Sequence, residues 1–328
     1  MLVSVSGYNY SGSSAVIDLL AEYSETNCVK QEIAFAYMPD GLLDLEYNMN
    51  HTATYFNGDV AIQRFWNQCL RCDMPKDKKQ LFLQKSREYI DSIVEDTWHG
   101  GSYFDSTRLS GAKYYIWYLK KSISSLIYHY SKKVTNWNQR AMYLAYCCTN
   151  FNTLTSKYLN DIADMFSVEG KIGVFNQFFS AFRPELSMKF CVDGKTIVVD
   201  RDPRDIYILG NVRHETACFP SQDAKKFVTW YKRCWDNCVK EESDRVLHVQ
   251  FEDLIFQYEI TVKRIEVFLG IDDHVKPRMY FKPEVSINNT QLKMRFPKLA
   301  SDIAYIEKEL KDYLYVFPEG YKPSGDFF

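Results

Sequence analysis

Apolar and polar positions along this chain follow two different rhythms. Near the start, Leu2-Val-Ser-Val-Ser forms a short apolar run, and Ala15–Leu20 carries apolar residues at 16, 17, 19 and 20. The first predicts a buried strand and the second a helix, with another strand following around Cys28–Ala36. Residues 171–210 repeat this arrangement: Gly173-Val-Phe-Asn-Gln-Phe-Phe179 as strand, a helix opened by Pro184-Glu185, then Thr196-Ile-Val-Val-Asp200 as strand. Residues 245–270 do so once more, with Arg245–Gln250, a helix to Phe268 and a stop at Gly270. Short apolar runs alternating with helices predict a parallel sheet covered on both faces. Between these segments the rhythm is helical, over Lys78–Trp98, Ala112–Tyr130 and Gln139–Phe166. No repeat or low-complexity linker divides the chain. It is therefore expected to be one α/β domain over 1–328, with a mostly helical insertion at about 50–168. The stretch from His274 to Pro297 is polar and irregular, and a last helix is expected over Lys298–Leu314.

The first strand and helix are joined by Gly7-Tyr-Asn-Tyr-Ser-Gly12-Ser13-Ser14. A strand, a glycine-bracketed turn and a helix N-terminus aim backbone N–H groups and the positive end of a helix dipole at one point, which suits phosphate or sulfate. The spacing matches a P-loop except that Ser13 stands where the lysine belongs. An ordinary βα turn with a serine cap is the plainer alternative.

Composition narrows the partners. A net charge of −2 gives no bulk attraction to nucleic acid or to an anionic membrane, so any basic site must be local. Lys120-Lys121 and Lys132-Lys133 read as solvated helix ends. Nine cysteines and a strand that begins at residue 2, with no leader-like segment, predict reduced thiols and a cytoplasmic location. Cys69/Cys72 and Cys234/Cys238 lie in helix-like sequence, and none of the six histidines stands at a paired ligand spacing, so no metal site is expected. Aromatic residues make up 16% of the chain, enough to line a ligand cleft as well as a core.

A second constellation follows the strand at Thr196. Asp200-Arg201-Asp202-Pro203-Arg204-Asp205 places Arg201 at a strand's C-terminal end, where open α/β sheets bind ligands. The arginine fork suits phosphate. A charged turn with internal Arg–Asp pairs is the alternative, and Asp200 could instead be the Mg²⁺ aspartate of a P-loop kinase. Val249-Gln-Phe-Glu-Asp-Leu254 is a weaker signal, with Glu252 and Asp253 read as turn and capping residues.

Taken in order, these segments resemble the sulfotransferase family. Tyr10-Ser-Gly-Ser-Ser14 is similar to its 5′-phosphosulfate loop, K-S-G-T-T; Arg201-Asp-Pro-Arg-Asp205 to its 3′-phosphate segment; Phe251-Glu-Asp-Leu254 with Phe268-Leu-Gly270 to its Y-E-D-L…F-L-G stretch. The resemblance covers roughly 1–37 and 171–295. It implies a P-loop-like three-layer α/β/α fold with a central parallel sheet. It also implies transfer of a sulfuryl group from 3′-phosphoadenosine 5′-phosphosulfate to a hydroxyl, with no metal. Gly7, Tyr8, Asn9, Tyr10, Ser11, Gly12, Ser13 and Ser14 would then hold the donor's 5′ end, and Arg201 its 3′-phosphate, with Asn289 and Thr290 contributing. Glu32 would be the base, as in the heparan-type branch, which makes a glycan the expected acceptor. Asp40, Asp44 and His51 follow within 20 residues as rivals, and a histidine base, as in the cytosolic small-molecule branch, would point instead to another small hydroxylated compound such as a phenol. Two positions depart from the pattern. Tyr10 replaces the loop lysine, for which Lys282 or Lys293 would compensate, and Leu209 replaces a serine, for which Asn211 or Arg213 would stand in. A non-catalytic nucleotide- or glycan-binding descendant remains open beside the enzyme, as does the kinase.

Overall fold

Seven strands alternate with helices along the described part of the chain, which is residues 2–240, 242–320 and 325 of a computed structural model. In chain order the first half comprises β1 (Leu2–Gly7), α1 (Ser13–Leu20), β2 (Thr26–Glu32), α2 (Leu42–Asn50), α3 (Tyr55–Arg71), α4 (Lys76–Ile93), β3 (Asp96–Gly100), α5 (Ala112–Ser131), β4 (Arg140–Leu144) and α6 (Phe151–Asp164). The second half comprises β5 (Ile172–Asn176), α7 (Pro184–Ser187), β6 (Gly194–Asp200), α8 (Pro203–Val212), α9 (Ala224–Trp235), β7 (Val246–Gln250), α10 (Asp253–Phe256), α11 (Tyr258–Leu269), α12 (Pro283–Ser286) and α13 (Ala300–Glu309).

Five strands form one parallel sheet in the order β2-β5-β1-β6-β7, with β1 at its centre. Alternate residues of each strand feed two separate cores. Val3, Val5, Ile197, Val199 and Val249 pack with α1 and α11 on one face. Phe175, Val198 and Val246 join α2, α3, α4, α6, α8 and α9 on the other. The fold is therefore a three-layer α/β/α sandwich, with the large helical segment extending one layer.

Serines interrupt β1 for a reason the structure makes plain. Ser4 and Ser6 are fully buried, their hydroxyls 2.8 Å apart. Ser6 donates to the Phe179 carbonyl at 2.7 Å and Ser4 accepts from the Phe179 N–H at 3.0 Å. The chain leaving β5 is thus fastened to the central strand beside the glycine turn.

The middle of the chain departs from an all-helical reading. The expected helix over Gln139–Phe166 divides into β4 and α6, and that over Lys78–Trp98 ends at Ile93 before β3 begins. Strands β3 and β4 pair antiparallel, Trp98 opposite Met142. The cause is a charge contact rather than propensity. Arg140 forms a bidentate pair with the buried Asp59 of α3, at 3.0 and 2.6 Å, and a further bond to Asp105 at 2.8 Å. Removing one partner of a buried pair costs about 3–5 kcal/mol, enough to decide a short extended segment. Other boundaries also shift: β2 ends at Glu32 rather than Ala36, β5 at Asn176 rather than Phe179, and the last helix at Glu309. Gly270, at φ 72°, caps α11 as expected of a left-handed C-terminal glycine.

Candidate functional site

The glycine turn, Arg201 and the polar stretch near residue 280 meet at the C-terminal end of the sheet. Together they border a cavity of about 450 Å³, lined among others by Tyr10, Gly12, Ser14, Asp18, Arg201, Leu209, Arg213, Phe251, Phe281, Lys282 and Asn289. This lies within the usual size range of a ligand pocket.

The floor is the N-terminus of α1. Gly12 has φ 87°, and a Cβ there would come 2.5 Å from the Phe251 ring, so both backbone and packing require glycine. Tyr10 shares the left-handed conformation at φ 59°. Its hydroxyl lies 2.6 Å from Thr216 Oγ1, which turns the ring tip toward the end of the 214–216 turn. Ser14 is exposed at the cavity, whereas Ser11 is buried with no partner for its hydroxyl.

Gln177 completes the turn from outside it. Its Oε1 accepts from the Gly7 N–H at 3.2 Å, and its Nε2 donates to the Gly7 carbonyl and to Ser13 Oγ, both at 3.3 Å. Sequence reasoning passed over this residue. A polar pair, Asn176-Gln177, at the end of an apolar strand was the available signal.

Arg201 is 4% exposed and spans the site. Nη1 donates to the Tyr10 carbonyl at 3.0 Å, Nη2 donates to the Asn289 carbonyl, and the guanidinium lies 4.7 Å from the Phe251 ring centroid. Burial favours loss of its proton, opposed by Asp205, Glu252 and Asp202 nearby. These carboxylates have work of their own. Asp205 accepts from the Gln291 and Leu292 N–H groups at 2.9 and 2.8 Å, and Glu252 accepts from the Asp202 N–H at 3.0 Å. Burial pushes the Glu252 carboxyl up to about 8 and the Asp205 carboxyl up to about 7. The internal Arg–Asp pair of this motif is made by Arg204, which binds Asp202 through Nε and Nη2 at 2.8 and 2.6 Å. Asp200 is turned away from the cavity: one oxygen accepts from Arg201 N–H, the other from Trp235 Nε1 at 3.1 Å.

The wall opposite α1 is hung from a residue the sequence did not single out. Glu22, fully buried just past α1, accepts from the Arg278, Tyr280 and Phe281 N–H groups at 3.0, 2.8 and 2.9 Å, with His274 Nε2 at 2.7 Å. This holds Tyr280, Phe281 and Lys282 against the cavity.

Several expected site residues stand elsewhere. Tyr8 is in the core, its hydroxyl donating to the Ala181 carbonyl, so it cannot reach a ligand. Lys293 pairs with Glu307 at 2.6 Å rather than turning to the cavity. Asn211 donates to the Ser221 carbonyl, and Thr290 is buried with its hydroxyl on the Ile287 carbonyl. Gly7, Asn9, Ser11 and Ser13 shape the turn without lining the cavity, and Asn289 reaches it. Arg213 and Lys282 are exposed at its wall.

Glu32 lies outside the cavity but at the same end of the sheet. It is exposed at the close of β2, level with Asn176 of β5, whose Oδ1 is buried without a partner. With β5 between them, the ends of β2 and β1 are about 10 Å apart. His51 instead lies 3.0 Å from Glu46, and Asp40 pairs with Arg64.

No family model and no curated relative matches the chain. Among solved structures it is similar to the sulfotransferase domain of a Synechococcus olefin synthase, with a TM-score of 0.42 and 14% identity over 93% of this chain and 94% of that one. A Mycobacterium avium sulfotransferase gives 0.37 and 12%, over 94% and 76%. A sulfotransferase from Alicyclobacillus acidocaldarius gives 0.34 and 12%, over 94% and 95%. Superpositions this loose leave the chemistry to be argued from the residues of the site.

Proposed function

We propose that this protein is a sulfotransferase that uses 3′-phosphoadenosine 5′-phosphosulfate to sulfate a hydroxyl, with a glycan as the favoured acceptor class. The observation that carries this reading is one cavity bordered at once by a glycine-bracketed helix N-terminus and by Arg201, Arg213 and Lys282. A ligand with two separated anionic groups fits such a cavity better than one with a single group. The fit has support at both ends: Gly12 and Ser14 line the cavity at the start of α1, and Arg201 keeps one N–H on each terminal nitrogen beyond its two carbonyl bonds. Phe251, Tyr280 and Phe281 offer apolar faces for a purine.

The bound donor would supply the sulfuryl group, whose bond to the 5′-phosphate oxygen breaks as the bond to the acceptor oxygen forms. The N–H groups at the start of α1 are suited to negative charge on the departing phosphate, and Lys282 can add a cation that Tyr10 lacks. Glu32 would accept the acceptor's proton. The kinase alternative needs an aspartate facing the phosphates, and Asp200 is committed to Trp235 and the Arg201 N–H.

The deciding experiment is a melting curve with 3′-phosphoadenosine 5′-phosphate, followed by transfer of labelled sulfate from the full donor to glycan and phenol acceptors. Ligand at a hundredfold excess over Kd should stabilise the fold by about 2.7 kcal/mol. A shift with ATP and Mg²⁺ but none with the sulfotransferase product would overturn the reading. Binding without transfer to any acceptor would favour the non-catalytic descendant.

A further inference from the structure

The helix α5 stands apart from every other long helix of the protein, since none of its twenty residues is buried. A polar, solvated helix could afford this, but α5 is not polar. Tyr115, Leu119, Leu126 and Tyr130 are 71%, 58%, 58% and 79% exposed. Their spacing of 4, 7 and 4 residues puts them on one stripe within about 60° of arc at 100° per residue. Ile116 and Ile123 widen it along one edge, both exposed. Of the half-buried residues, Trp117 and Ser124 lie on the opposite side, toward the body, and Ile127 lies about 90° round from the stripe's centre.

Charge around this helix is one-sided. Arg108 pairs with Asp105 at 2.5 Å, and between Asp105 and Asp161 the sequence holds no acidic residue, while Lys113, Lys120, Lys121, Lys132 and Lys133 all fall before residue 134. By helical spacing, Lys113, Lys120 and Lys121 lie about 110–150° round the helix from the centre of the stripe, all three exposed, and the remaining two lysines close its C-terminus. In a chain whose net charge is −2, this is a strong local segregation.

We propose that α5 is an interfacial helix that seats the protein on an anionic lipid surface, with the Tyr115–Leu119–Leu126–Tyr130 stripe in the acyl boundary and the lysines at headgroup level. An apolar stripe edged by tyrosine and flanked by lysine is the composition such helices use. Anionic lipid adds attraction for each nearby lysine. A second copy of this chain is disfavoured by the same charges, because a two-fold contact along the stripe sets the five lysines around the same five. Nucleic acid would satisfy the lysines but offers no hydrocarbon to Leu119 and Leu126. Among the described residues no helix is long and apolar enough to cross a membrane, so the helix would lie on the surface. This inference is independent of the sulfuryl-transfer reading.

The test is co-sedimentation of the full chain with vesicles of phosphatidylcholine alone and of phosphatidylcholine mixed with phosphatidylserine. Binding should favour the anionic vesicles by about tenfold or more and should weaken as salt is raised. The variant L119S/L126S should lose binding with an unchanged melting temperature, since both side chains already face solvent. The variant K113E/K120E should lose the preference for anionic vesicles while leaving the stripe intact. Absent binding, equal binding to both vesicles, or a dimer that L119S/L126S dissolves would each overturn the proposal.

Discussion

The Arg201 guanidinium and the Tyr10 carbonyl are joined by a 3.0 Å hydrogen bond across 191 residues of sequence. One side chain therefore ties the glycine turn to the segment after β6, and through the Asn289 carbonyl to the C-terminal part of the chain as well. Arg201 is thus a strut of the cavity and also a cation within it.

Replacing Arg201 by alanine should weaken binding of 3′-phosphoadenosine 5′-phosphate by about 10- to 150-fold, the loss expected of a charge-assisted contact worth about 1.5–3 kcal/mol. Arg201→Lys keeps a charge but cannot hold two carbonyls and a ligand together, so it should fall between parent and alanine. Calorimetric titration reads both. Unchanged affinity in Arg201→Ala would leave the residue a strut only.

Glu32→Gln should lower turnover on the true acceptor by about 10²–10⁴-fold, the contribution of a positioned general base, and leave donor-product affinity as it was. Glu32 is exposed and outside the cavity, so the swap disturbs neither packing nor the donor pocket. Single-turnover rates separate chemistry from binding. If Glu32→Gln works normally and His51→Ala does not, the base is the histidine and the acceptor class shifts toward small phenols.

Gly12→Ala should destabilise the fold by roughly 1–2 kcal/mol from the left-handed backbone alone, with a further cost from the ring of Phe251. The double variant with Phe251→Ala removes the second cost and keeps the first. Denaturant melts of the four proteins in the cycle measure the coupling directly. Full additivity would mean that the ring yields freely.

Stability should fall as pH rises toward 8. Burial holds Glu252 up to about 8, Asp205 to about 7 and Asp200 to about 6, all well above ordinary carboxyl values. Between about pH 4 and each of these values the unfolded chain has released a proton that the folded chain retains. Each group's stabilisation is therefore complete below its unfolded pKa and is lost as pH climbs through its folded one, by up to about 1.4 kcal/mol per unit per proton. Glu252→Gln should flatten the slope between pH 5 and 8. A slope identical to that of the parent would show that Glu252 is ionised in the folded protein.

The sheet and its cavity-bearing end were legible because they depend on short-range pattern. Apolar runs located four of the five strands of the parallel sheet, the polar edge strand β2 being expected only around 28–36, and the glycines and Arg201 lay at strand ends, where ligands bind in such sheets. What the sequence hid is long-range pairing. Nothing local to Arg140 says that Asp59, 81 residues earlier, will pull its segment out of a helix into β4. Glu22 reads as a helix-end acid and Gln177 as a loop amide until their partners arrive from distant segments. Tyr8 and Lys293 failed as ligand contacts for the same reason, one drawn to the Ala181 carbonyl and the other to Glu307. The helical period of α5 was correctly read, but periodicity alone does not say which elements cover a helix, or that none do.

Glu22 also bears on how fast a ligand can come and go. Three backbone N–H groups and a histidine converge on its buried carboxylate, so the segment from His274 to Phe281 cannot swing outward without stranding a desolvated charge. Association then pays little to order that side of the pocket. Glu22→Ala would loosen that wall, so a bound ligand would leave faster and the next would arrive at a less ordered pocket, a signature that equilibrium affinity alone would miss.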